Sequence, residues 1–114
     1  MESILTSIKK LLGIEEEYTH FDPEIIMHIN SVFIDLKQLG VGPSEGFAIT
    51  DATDSWSDFT DDEVNYQAVK TYIYMKVKLI FDPPTSSAVI EAFNKRIAEI
   101  EFRLNVEAET PESV

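Results

Sequence analysis

The stretch from Thr60 to Pro84 constrains the fold more than any other part of the chain. It opens Thr60-Asp61-Asp62-Glu63, the form of a capping box in which Thr60 accepts from the backbone N–H of Glu63 and Glu63 reaches back. It closes on Asp82-Pro83-Pro84, and a double proline cannot continue a helix. The segment between predicts a helix of about five turns. At about 100° per residue, Val64, Ala68, Tyr72, Met75 and Leu79 line one face. Tyr66, Val69, Ile73, Val77 and Ile80 line a second, roughly opposite, and only Lys70, Lys76 and Lys78 interrupt this girdle. A helix apolar nearly all round must be covered nearly all round. A chain of 114 residues is one domain with a shallow core. Part of the cover is therefore expected from another subunit.

The flanking segments predict further helices. Residues 3–12 place Ile4, Leu5, Ile8, Leu11 and Leu12 on one face. Gly13 is the stop, Ile14 is its accompanying apolar contact, and Lys9 and Lys10 complement the helix dipole in the last turn. Asp22-Pro23-Glu24 opens a second helix, with Asp22 as N-cap and Pro23 as first residue. Its core stripe is Ile25, Ile29, Val32, Phe33 and Leu36. Met27 and Ile34 lie opposite, one heptad apart, before the stop at Gly40-Val41-Gly42-Pro43. A last helix runs from about Ser87 to Leu104 with the stripe Val89, Ile90, Phe93, Ile97, Ile100 and Leu104. Phe102 points off that stripe, and Glu91–Lys95 and Glu99–Arg103 are spaced as i,i+4 pairs.

Residues 44–59 read as non-helical. Phe47–Thr50 alternates like a short strand, and Asp51–Asp54 is turn-like. Ser55–Phe59 is a return strand or an irregular lid, with Trp56 over a helix end. Asn105–Val114 has no periodicity, three acids and Pro111, and predicts a flexible acidic tail. The expected fold is mostly α: a small bundle of about four helices, the first short, with a short acidic loop or β-hairpin before the third. Residues 1–104 form the domain and 105–114 the tail.

The net charge of −12 argues against holding DNA through its phosphates, which needs clustered Lys and Arg. Between Gln38 and Val69 there is no base at all, while Glu45, Asp51, Asp54, Asp58, Asp61, Asp62 and Glu63 fall there. The chain has no cysteine, which excludes disulfides and thiolate metal sites. No apolar run reaches the ~18 residues of a membrane span, and the start of the chain lacks the basic region of a signal peptide.

Catalytic chemistry finds no foothold. His20 and His28 lack a second ligand at zinc spacing. A calcium loop over residues 51–62 fails because Trp56 stands where glycine is needed. No phosphate loop or nucleophile motif is present. Tyr66, Tyr72 and Tyr74 read as core or interface residues with their hydroxyls at the rim. No catalytic, metal or cofactor site is expected, and the chain reads as a non-enzymatic binding or structural domain.

Several segments together resemble a known family. They are Ile8-Lys9-Lys10-Leu11-Leu12-Gly13-Ile14 followed by acids, Phe21-Asp22 opening Ile25–Asn30, and Leu39-Gly40-Val41-Gly42-Pro43. Ala68–Tyr74, Leu79-Ile80-Phe81-Asp82-Pro83-Pro84 and Glu101–Asn105 complete the set. Over about residues 4–108 the chain resembles the head–tail connector (adaptor, or head-completion) proteins of long-tailed bacteriophages. The Phe-Asp-Pro-Pro turn after a tyrosine-bearing helix is the most specific element. The resemblance implies a homo-oligomeric ring, commonly twelvefold, beneath the portal protein. It extends the DNA channel and carries the stopper or tail completion protein. It also implies a place at the head–tail interface of the virion, with assembly in the host cytoplasm, DNA only passing through, and no membrane partner.

Set beside the residues, this assigns three expected surfaces. A subunit interface draws on Met27, Ile34, Tyr66, Tyr72, Ile73, Tyr74, Val77 and Phe102. A portal-binding tail uses Asn105, Val106, Glu107, Ala108 and Glu109. An acidic loop at the channel or tail side carries Asp51, Asp54, Trp56 and Asp58. The alternative is an acidic regulatory or DNA-mimic module acting on a basic partner protein. A small Mg²⁺ enzyme is disfavoured, because the core-facing helix positions are Ile, Val, Leu and Phe rather than carboxylates.

Overall fold

A computed structural model describes residues 2–109. The chain forms five helices: α1 (Ile4–Leu11), α2 (Asp22–Gln38), the single turn α3 (Trp56–Phe59), α4 (Glu63–Phe81) and α5 (Ser87–Glu109). The mostly helical bundle with a short first helix is as the sequence predicts. No strand forms among the described residues, so the loop before α4 is not a hairpin. The reason is Asn30. Its side-chain carbonyl accepts from the Ile49 N–H at 2.8 Å, and its amide donates to the Ile49 carbonyl at 3.0 Å. One side chain thus satisfies the backbone groups that a partner strand would have paired.

α4 is the central element. It packs chiefly against α2 and then against α5, and α1 closes over α2 and α4. Chain direction follows from the contacts. Phe21 meets Phe81 with ring centroids 5.2 Å apart, Asp35 meets Lys76, and Val41 lies by Asn65. α4 therefore runs antiparallel to α2. Tyr74 meets Phe93 while Asn65 lies by Leu104 and Glu107, so α5 is antiparallel to α4. The order is up–down–up, with the C-terminal ends of α2 and α5 together, where Asn105 Nδ2 donates to the Leu39 carbonyl. The molecule measures 47 × 35 × 21 Å. Its least dimension is about two helix diameters, so it is a slab.

The core gathers Ile4, Ile8, Ile25, Ile29, Leu36, Trp56, Val69, Tyr72, Ile73 and Val77. Both apolar stripes of α4 contribute, one through Val69, Ile73 and Val77 and the other through Tyr72. Phe33, Phe47 and Phe59 meet edge-on or tilted at 5.0–5.3 Å between centroids and anchor the loop.

Three local expectations are corrected. The cap of α4 is Asp62, whose Oδ1 accepts from the N–H of Val64 and Asn65. Thr60 accepts instead from the Asp62 N–H. A carboxylate one residue before the helix meets the free amides directly and suits the positive end of the dipole. At α2, the Asp22 side chain does not cap the helix but turns to Lys9. Last, α5 continues to Glu109, so Asn105–Glu109 are helical where a flexible tail was expected. Leu104 is buried, Asn105 is bonded to Leu39, and Ala108 lies against Gly40, so the added turns have a surface to pack on. The rest of the expected tail, residues 110–114, lies outside the described residues.

Candidate functional site

Two groups of side chains available to a partner lie on the outer faces of α2 and α5. Each helix has a buried stripe toward α4. Met27 and Ile34 stand opposite that stripe on α2, each 61% exposed, and Phe102 stands opposite it on α5, 71% exposed. Hydrophobic groups of this size left in water on a helix are candidates for contact when several share one face. Ile34 also borders a shallow cleft with Phe33, Phe47, Ala48, Lys37 and Glu45.

The other expected interface residues divide in two. Tyr72, Ile73 and Val77 are fully buried in the subunit's own core and are not available to a neighbour. The middle of the α4 girdle is covered from within, and the Tyr72 hydroxyl reaches Glu101 of α5. Tyr66 and Tyr74 are half-buried, Tyr66 against Trp56 and Tyr74 against Phe93. Val64, at 85% the most exposed large apolar side chain among the described residues, and Ile80 belong to the girdle expected to meet another subunit, whereas Tyr18 and Leu11, also exposed, were not expected at a contact. Val64 and Ile80 belong to the two stripes of α4 and lie at its two ends. Val89, expected in the α5 core stripe, is also exposed, with Ile90 and Phe93 half-buried.

The acidic loop is built rather than loose. Asp54 Oδ2 accepts from the N–H and hydroxyl of Thr50 and from the Asp51 N–H. Asp51 Oδ1 accepts from the hydroxyl and the N–H of Thr53, and these two bonds hold the Asp51 carboxyl below its ordinary pKa. Asp58 Oδ2 accepts from the Ser55 N–H at 2.9 Å. The loop is tied to the start of the chain. Ile4 N–H donates to the Asp54 carbonyl and Trp56 N–H to the Glu2 carbonyl, each at 3.0 Å. Asp51, Asp54 and Asp58 thus remain at the surface, but Trp56 does not. Its ring is fully buried and its Nε1 donates to Ser7 Oγ at 2.9 Å. It is a core residue rather than part of an outward-facing loop, because an indole buried with its N–H bonded has nothing left to offer.

A polar chain crosses the three long helices. Lys76 Nζ (α4) donates to Asp35 Oδ2 (α2) at 2.7 Å and to the Tyr72 hydroxyl at 3.3 Å. The Tyr72 hydroxyl donates to Glu101 Oε2 (α5) at 2.7 Å. Burial first, and then the bond to and charge of Glu101, push the Tyr72 pKa well above its ordinary value. The hydroxyl therefore stays a donor, and the chain serves to fix helix positions. Among the described residues no group of three or more His, Asp or Glu is placed to hold a metal ion. No described helix is long and apolar enough to cross a membrane.

These features define a small acidic helical subunit whose exposed chemistry lies on helix faces and a braced loop, the outline of a protein that acts by being held between others. Residues 4–111 match the family described as phage connector protein. The chain belongs to that family, and its role is that of a phage head–tail connector, a structural component of the virion at the junction of head and tail. No curated protein and no solved structure matches the chain.

Proposed function

We propose that this connector assembles as a ring beneath the portal protein, extending the DNA channel and offering the platform for the stopper or tail completion protein. The observation that carries this reading is a family member with two separate exposed apolar faces, Met27–Ile34 on α2 and Phe102 on α5. A ring is built by heterologous contacts, so each subunit needs two different sticky faces. The exposed carboxylates of Asp51 and Asp58, with half-buried Asp54 beside them, face the channel or the tail side. At a channel wall, negative charge repels phosphates and lets DNA pass, whereas a basic lining would hold it. The end of α5, from Asn105 to Glu109, is the segment offered to the portal.

The test is a phage lacking this chain. It should yield DNA-filled heads without tails. Complementation with the wild-type chain should restore tails and show, by electron microscopy of the particles, a ring between portal and tail. Normally tailed particles from the deletion, or complemented particles with no ring, would overturn the proposal.

A further inference from the structure

The outer faces of α2 and α5 match each other in spacing, polarity and charge. On α5, Lys95, Phe102 and Glu109 follow at intervals of seven and share the face turned away from α4. All three are exposed. On α2, Met27 and Ile34 hold the centre of the outward half, with Glu24 at one edge and Lys37 at the other, again all exposed. At about 1.5 Å per residue, the charges on α5 are separated by about 21 Å and those on α2 by about 20 Å. Laid side by side in parallel, Lys95 comes beside Glu24, Phe102 falls between Met27 and Ile34, and Glu109 comes beside Lys37. Laid antiparallel, the same register sets Lys95 by Lys37 and Glu109 by Glu24, like charge against like.

The fold independently favours the parallel arrangement. Within one subunit α2 and α5 point the same way and both pack on α4. Rotation about an axis lying along the helices preserves their direction. The α5 of one copy and the α2 of the next then meet in parallel, and the up–down–up unit repeats around a wall of helices.

We propose that the outer face of α5 docks in parallel on the outer face of α2 of a second copy, Phe102 seated between Met27 and Ile34 and the Lys95–Glu24 and Glu109–Lys37 pairs fixing direction and register. The inference rests on the ring reading and gives it a specific interface. The apolar centre supplies the attraction. The exposed end pairs are individually weak but penalise the reversed docking, which is how charge most often acts at such contacts.

The chain has no cysteine, so the introduced thiols are the only ones it carries. Full-length chains carrying Glu24→Cys with Lys95→Cys, or Glu24→Cys with Glu109→Cys, are used to complement the deletion phage. The particles are treated with a short thiol-to-thiol cross-linker. The first pair should give a ladder of covalent oligomers on a denaturing gel and the second should remain monomeric. A ladder from the second pair alone overturns the parallel docking. No ladder from either pair, in particles that show a ring by electron microscopy, overturns this interface and leaves the ring standing. Absence of any ring overturns both. As a second measurement, Glu24→Lys should lower the yield of tailed particles and Lys95→Glu in the same chain should restore it; failure of that restoration counts against the pairing.

Discussion

At the scale of single residues, the fold depends on polar groups that composition would have left on the surface. Lys9 is the clearest. Its position in the last turn of α1 suits the helix dipole, yet the side chain is only 3% exposed. Its Nζ donates to the carbonyls of Glu16 and Tyr18 at 3.0 and 2.8 Å and stands 2.9 Å from Asp22 Oδ1. That last contact is an ion pair by distance without hydrogen-bond geometry, since Oδ1 has no directed donor. The ammonium thereby holds the whole connector between α1 and α2. Replacing it leaves two carbonyls and a largely buried carboxylate without a partner, and breaking a buried pair costs about 3–5 kcal/mol. Asp22 retains some water contact, so Lys9→Met should lose about 3 kcal/mol, the lower end of that range. Lys10→Met, at an exposed position, should stay within about 0.5 kcal/mol of wild type. Urea unfolding of both variants measures the difference.

At the scale of elements, what could be read from the sequence was whatever depends on neighbours a few positions away. The stripes Ile25–Leu36 and Ile97–Leu104 follow from the helical period alone, and both are buried as predicted. What covers a stripe is set by helices far along the chain, so Tyr72, Ile73 and Val77 could not be told from interface residues by pattern. The same limit hid the last turns of α5, whose support is the Leu39 carbonyl, and the role of Asn30, whose partner is Ile49. It also hid why the α2–α4 loop holds one shape. Gly42 has φ +93°, and a Cβ there would lie 2.6 Å from Cε1 of Phe59, inside the Phe33–Phe47–Phe59 cluster. Gly42→Ala must therefore bear both a left-handed backbone, about 1–2 kcal/mol, and the displacement of a packed ring, about 1–3 kcal/mol. Gly46 has φ +92° but faces only the flexible Lys37 side chain at 3.4 Å. Gly46→Ala should lose just the backbone part, about 1–2 kcal/mol, so thermal unfolding should rank Gly42→Ala below Gly46→Ala.

At the scale of the whole molecule, a subunit of net charge −12 must associate with its own kind against its own field. Two such subunits repel over distances that salt controls, since the Debye length falls from about 30 Å at 0.01 M to about 3 Å at 1 M. The attraction at the α5–α2 contact is short-ranged and centred on Phe102, Met27 and Ile34, so screening removes little of it. Raising the salt should therefore strengthen self-association. This is opposite in sign to a protein that binds nucleic acid through its phosphates, whose affinity falls steeply as salt rises. Sedimentation velocity of the purified chain at fixed concentration, with sodium chloride raised from about 0.05 to 0.5 M, should show the mean sedimentation coefficient increasing. The Phe102→Ser variant should show no such rise, because with the apolar centre removed screening has no attraction to uncover. A decrease with salt in the wild type would mean that the Lys95–Glu24 and Glu109–Lys37 pairs outweigh the net repulsion, and that charge rather than apolar contact holds neighbouring subunits together.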